Sequence, residues 1–168
     1  MRLTPTHIES ARRHLRAADP VMKAIIDAVG SYTLRFERER FAMLVRSIVS
    51  QQISTSAARA IRERLQELAG VEGLTAANMV RFSLDELRSV GLSPQKAAYV
   101  ADLSAKVNDG TVDLRRIGRL SDEQVVEQLV QVKGIGRWTA QMFLIFSLGR
   151  PDVFPHDDLG VRTAIRDR

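Results

Sequence analysis

An all-α fold follows from three observations. Apolar residues recur at helical spacing, turn signals cut the pattern into short blocks, and the one strand-like alternation, Tyr32-x-Leu34-x-Phe36, has no partner segment with which to build a sheet. In 41–49, Phe41, Leu44, Val45 and Ile48 fall on one helical face, and in 57–68 Ala58, Ile61, Leu65 and Leu68 do the same. Gly70 and Gly73 end the second block. Ser83 with Glu86 three residues on predicts a capping box for a short helix closed by Gly91. Ser93-Pro94 opens the next helix with proline at its first position, and Asn108-Asp109-Gly110 turns the chain. Ser121 and Gln124 cap a helix running to about Val130, and a last strong pattern covers 138–148.

The composition supports a packed globular domain. The 168 residues are 45% hydrophobic and 27% charged, enough apolar material for a core. The absence of cysteine excludes a disulfide scaffold, a thiolate metal site, an iron–sulfur cluster and a cysteine nucleophile. No apolar run approaches the roughly 18 residues of a membrane span, so the expected setting is the cytoplasm, in association with the nucleoid, with no membrane partner. The formal charge is +5, and all but Lys23, Lys96, Lys106 and Lys133 of the 25 cations are arginine, a residue suited to gripping phosphate. The charge is compatible with a nucleic-acid partner without selecting one by itself, and a GC-rich genome would give the same arginine bias.

Two segments carry chemistry. Val132-Lys133-Gly134-Ile135-Gly136-Arg137-Trp138-Thr139-Ala140 lies between two helical patterns, with two glycines one residue apart. Glycine lets a backbone turn tightly and come close to a ligand, and the N–H groups that follow open a helix whose dipole favours an anion such as a DNA phosphate. A Rossmann reading fails because no strand precedes the glycines; a P-loop reading fails because the Lys-Ser/Thr ending is missing. A plain glycine-rich connection stays open as the alternative. In the second segment, Pro155-His156-Asp157-Asp158-Leu159-Gly160-Val161, one aspartate is explained as a helix cap and the other is left over. The helix dipole favours the ionised form there. His156, with no second histidine nearby, reads as a surface or packing residue.

Gly134-Ile135-Gly136-Arg137-Trp138-Thr139-Ala140 followed by Val153-Phe154-Pro155-x-x-Asp158-Leu159-Gly160-Val161-Arg162 resembles the helix-hairpin-helix DNA glycosylase superfamily, and within it the 3-methyladenine DNA glycosylase II branch. His14-Leu15-Arg16-Ala17-Ala18-Asp19-Pro20 and Ser47-Ile48-Val49-Ser50-Gln51-Gln52-Ile53-Ser54 are similar to that branch's upstream motifs, so the likeness runs from about residue 10 to the end. It implies a multi-helix fold of two closely packed lobes and a single domain over 1–168. Only ten residues follow Asp158, so the family's further C-terminal helices are expected to be missing.

The resemblance implies a monofunctional enzyme of base excision repair that flips alkylated, cationic purines such as 3-methyladenine out of double-stranded DNA and hydrolyses the glycosidic bond. Asp158, 20 residues after Trp138, would be the catalytic carboxylate, with Asp157 as its capping or supporting neighbour. Trp138 stands where lyase-competent relatives similar to endonuclease III place a Schiff-base lysine, so no lyase activity is expected. Gln52 would fill the gap left by the extruded base. Gly134, Gly136, Arg137 and Thr139 would bind the DNA backbone, and the carbonyls of Val130, Val132 and Ile135 would hold a structural monovalent cation. No cofactor is expected for catalysis, and the protein is expected to be a monomer. The chemistry fits these residues: a cationic purine leaves with little acid assistance, and the enzyme must stabilise the positive sugar left behind. The rival expectation is a non-catalytic helix-hairpin-helix DNA-binding module or an inactive fragment of such a glycosylase.

Overall fold

The computed structural model describes residues 3–166, and these are helical with no strand among them. The first two helices, α1 (Pro5–Ala18) and α2 (Pro20–Val29), share one hinge residue: Asp19 ends α1, and its carboxylate caps α2 by accepting from the N–H groups of Val21 and Met22 at 2.7 and 3.0 Å. Each begins with proline, which fits the first helical turn because its missing N–H would be unpaired there. Neither buries a residue.

The core begins with α3 (Arg40–Ser50), which buries Phe41, Ala42, Leu44, Val45, Ile48 and Val49. After it come α4 (Thr55–Ala69), α5 (Ala76–Met79), α6 (Leu84–Ser89) and α7 (Pro94–Asn108), then α8 (Asp122–Leu129), α9 (Arg137–Phe143) and α10 (Leu159–Arg166). Single 3₁₀ turns cover Gly70–Glu72 and Ile117–Arg119. The capping boxes form as expected, Ser83 with Glu86 and Ser121 with Gln124. One hydrophobic cluster runs from Phe41 to Leu148, and core residues on both sides of Gly70–Gly73 and of Gly110 belong to it.

Two expectations change in detail. The helix expected over 138–148 is α-helical only through Phe143 and continues as a π-turn over Leu144–Leu148, which Gly149 closes in the left-handed conformation. The alternation at Tyr32, Leu34 and Phe36 becomes an extended connection. Its end is tied to that π-turn: Glu37 N–H donates to the Phe146 carbonyl at 2.8 Å, and the Ser147 hydroxyl donates to the Glu37 carbonyl at 3.0 Å. No described helix is long and apolar enough to cross a membrane.

Candidate active site and DNA interface

The hairpin between α8 and α9 is built on Gly134, whose φ of +80° only glycine adopts without strain. The Ile135 N–H closes the turn on the Val132 carbonyl at 3.1 Å, and both side chains are buried beneath it. A Cβ on Gly134 would overlap the ring of Tyr99 on α7. Gly136 differs: its backbone is extended, a Cβ there would meet nothing, and it precedes α9 without any side-chain cap. The hairpin's outer edge is therefore open, and Arg137 is exposed beside it. Thr139, expected at the DNA surface, is only 5% exposed. Its side chain faces the interior, so what it offers DNA is the backbone N–H of the uncapped first turn of α9. Val130, the third expected carbonyl donor, ends α8 with a half-exposed side chain.

Trp138, in the first turn of α9, connects the hairpin to the carboxylate. Its indole Nε1–H donates to Asp158 Oδ2 at 2.9 Å, while Asp158 Oδ1 accepts from the Val161 N–H at 3.0 Å. Asp158 is thus itself the cap of α10, and its carbonyl accepts the first helical bond from the Arg162 N–H at 2.9 Å. The expectation that Asp157 is the cap is corrected, since Asp158 takes that role: Asp157 is exposed and faces His156 Nε2 at 3.3 Å, because the chain turns between Pro155 and Asp158 before the helix begins. The backbone N–H of Val161 and the indole of Trp138 outweigh partial burial, with help from the Gly160 N–H, and hold the Asp158 carboxyl below the usual carboxylate range.

Trp138 also lines a cleft of about 600 Å³ with Met43, Ser47, Gln52, Arg62 and Met142. Its indole is 45% exposed, so one ring face remains available for stacking. Gln52 lies at the rim with φ +53°, the left-handed region, and no other non-glycine residue among the described ones has a positive φ. Arg46, which also reaches the cleft, is neutralised by Glu37 at 2.6 Å, whereas among the described residues Arg62 has no carboxylate partner. A larger cleft, about 770 Å³, lies at the other end of α3, between its first residues and the 71–76 turn; it holds none of the residues above and mixes Glu39 and Glu72 with Arg38 and Arg40. In the smaller cleft the aromatic side chain of Trp138 and the strained loop at Gln52 meet, and Asp158 is joined to it through the Trp138 indole.

Sequence reasoning missed the residues that hold these parts together. Lys96 donates from Nζ to the carbonyls of Val49 and Gln51, both at 2.7 Å, and Gln51 Nε2 donates to the Gly134 carbonyl at 2.8 Å. Asp102 accepts the Lys133 backbone N–H at 2.8 Å and pairs with Lys106 at 2.9 Å. Burial raises the Asp102 carboxyl, but the Lys106 ammonium and the Lys133 N–H more than offset it and the net shift is downward. Apart from the i,i+4 pair of Asp102 with Lys106, these contacts span 31 to 83 residues of sequence, and no local pattern announces them.

Residues 45–167 match the HhH-GPD superfamily base excision DNA repair protein family. The DNA-3-methyladenine glycosylase 1 of Schizosaccharomyces pombe is 33% identical over 166 residues, which are 96% of this chain and 73% of that protein. The DNA-3-methyladenine glycosylase of Saccharomyces cerevisiae is 37% identical over 131 residues, 72% of this chain and 44% of the yeast protein. The solved structure of the S. pombe 3-methyladenine DNA glycosylase Mag1 in complex with abasic DNA superposes with a TM-score of 0.84 at 33% identity, over 94% of this chain and 79% of that one. The helix-hairpin-helix with a carboxylate 20 residues after its tryptophan therefore has its family: this chain belongs to the HhH-GPD superfamily of base excision DNA repair proteins.

Proposed function

We propose that the protein is a monofunctional DNA glycosylase that extrudes alkylated purines from duplex DNA and hydrolyses their glycosidic bond. The observation that carries this reading is Asp158, held ionised by Val161 and Trp138 next to a cleft with an aromatic wall. The names of the relatives point to 3-methyladenine as the substrate class.

In this mechanism the uncapped first turn of α9 and the open face of Gly136 receive a phosphate, since unpaired N–H donors and the helix dipole favour an anion there. The damaged base leaves the stack at low cost because its pairing is already weakened. Gln52 fills the space, and Trp138 stacks on the base, with extra attraction if the base is cationic. As the bond to the base lengthens, positive charge develops on the sugar. Asp158 stabilises it electrostatically. A carboxylate with a depressed pKa is a weak base, so it acts through its charge and by orienting water more than by removing a proton. Trp138 offers no amine, so no Schiff base with the opened sugar forms. The carbonyls of Val130, Val132 and Ile135 are neutral hard oxygens on one turn and suit a monovalent cation, with the Val132 oxygen already sharing the Ile135 N–H. Such an ion would brace the hairpin.

The test is single-turnover release of methylated purine from alkylated duplex, with borohydride trapping in parallel. Base release without a trapped adduct is expected. A covalent adduct overturns the monofunctional reading, and no release with retained duplex binding leaves only a DNA-binding module.

A further inference from the structure

We infer that Lys96 and Gln51 are positioning residues for base extrusion, which join the loop carrying Gln52 to the hairpin so that backbone grip and insertion move as one rigid body. The inference rests on the proposed role of Gln52. A glutamine held at φ +53° relaxes unless its surroundings prevent it. Lys96 supplies the restraint. Its ammonium bonds the Gln51 carbonyl, which belongs to the peptide immediately before Gln52, and the Val49 carbonyl one turn end earlier.

The placement of that ammonium is informative. Lys96 stands in the first turn of α7, where the helix dipole disfavours a cation, and reaches across to the C-terminal end of α3, where the dipole favours one. It is half-buried, and no carboxylate among the described residues pairs with it. Burial holds its pKa below the usual lysine range. A half-buried cation with only carbonyl partners is spent on fixing backbone.

The same face of α7 reaches the hairpin. Tyr99, three residues on, packs against Gly134 so closely that no side chain fits there, and Gln95 Nε2 donates to its hydroxyl at 2.6 Å. Asp102, three further, holds the Lys133 N–H. Gln51 completes the circuit through its bond to the Gly134 carbonyl. Lys96, Tyr99 and Asp102 therefore present one ridge to loop and hairpin together, as expected for residues three apart on a helix. A phosphate bound at the hairpin then sets the position of Gln52 relative to the duplex.

The experiment uses the full chain and two substrates, one with the alkylated purine paired and one with it already unpaired in a bulge. Lys96→Met keeps the bulk of the side chain and removes the donors. It is expected to bind undamaged duplex within about threefold of wild type, to lose about tenfold or more in single-turnover excision from the paired substrate, and to excise the bulged base within about threefold, because extrusion is already done there. Lys96→Arg should recover much of the loss. The Lys96→Met/Gln52→Ala pair should be no slower than Gln52→Ala alone, since residues acting through one another are not additive. Equal losses on both substrates, or an additive double variant, would overturn the proposal. If circular dichroism shows that Lys96→Met does not fold, Gln51→Leu carries the same comparison, because it removes the Nε2 donor to Gly134 and leaves the Gln51 carbonyl to accept from Lys96; the bulged substrate reports any effect of the altered cleft lining on excision itself. If wild type excises neither substrate, the glycosylase reading has failed separately, and 2-aminopurine at the target site reports extrusion: brightening with wild type and not with Lys96→Met supports the coupling, and any other pattern overturns it.

Discussion

Asp158 has both carboxylate oxygens engaged, one by its own helix and one by an indole 20 residues earlier. In the proposed mechanism the ionised form is the working form, so activity is expected to fall as pH drops through its depressed pKa. Trp138→Phe keeps an aromatic face and removes the donor, so the pKa rises and the acid limb of the single-turnover pH–rate profile moves to higher pH; the Val161 N–H stays, so the limb stops short of an unperturbed carboxylate's. An unmoved limb would show that the indole bond does not tune the site. Asp158→Asn retains capping ability and loses the charge, so excision should fall by about 10²–10³ with the helical circular dichroism unchanged. Asp157→Asn should change the rate by less than about twofold, since it alters only an exposed side chain in contact with His156. A greater loss at Asp157 would reverse the assignment. The residues alone left open which aspartate is the spare one and the family resemblance chose Asp158, whereas the cap itself was placed on the wrong residue. Which of two adjacent acids begins a helix depends on a turn at Pro155 that residue types alone do not specify.

At the scale of elements, the hairpin's two glycines have different reasons for being glycine. Gly134 needs both its left-handed backbone and the space occupied by Tyr99, whereas Gly136 has ordinary dihedrals and open surroundings. Gly134→Val should therefore destabilise by roughly 1–3 kcal/mol or more through overpacking and strain, lowering Tm by several degrees in a thermal melt. Gly136→Val should leave Tm within about 2 °C, because an exposed β-branched residue in extended backbone is tolerated, and weaken duplex binding by crowding the phosphate. Identical Tm losses at the two positions would contradict this division. The Gly-x-Gly spacing was legible as a close-approach turn, but it could not reveal that one approach is internal. The caps at Ser83, Ser93 and Ser121 were legible because capping is local chemistry. The tethering of Glu37 to the π-turn at 144–148 was not, since it is made across more than 100 residues.

Over the whole molecule, burial is uneven in a way that bears on function. Lys96 ties the first turn of α7 to the end of α3, Gln51 ties that end to the hairpin before α9, and the Trp138–Asp158 bond joins the starts of α9 and α10, so several positive helix ends lie along the proposed DNA face. Of these, α3, α7 and α9 bury side chains in the core, and α10 buries none; neither do α1 and α2. Periodicity showed amphipathic blocks but not which of them the core accepts, because that depends on three-dimensional neighbours. Helices with few buried contacts open locally at a small fraction of the global unfolding free energy. Hydrogen exchange should find α1, α2 and α10 exchanging through local openings, with α3, α7, α8 and α9 protected to the global limit. Asp158, the proposed catalytic carboxylate, thus sits at the start of a weakly held helix, restrained by its bond to the well-buried α9. Adding undamaged duplex should slow exchange in the first turn of α10 and around Gly136 and leave α1 nearly unchanged, since bound DNA covers the former and selects the state in which they are folded. Equal protection of α10 with and without DNA would mean that Asp158 is fully positioned before binding, and the Trp138 bond alone would then account for its placement.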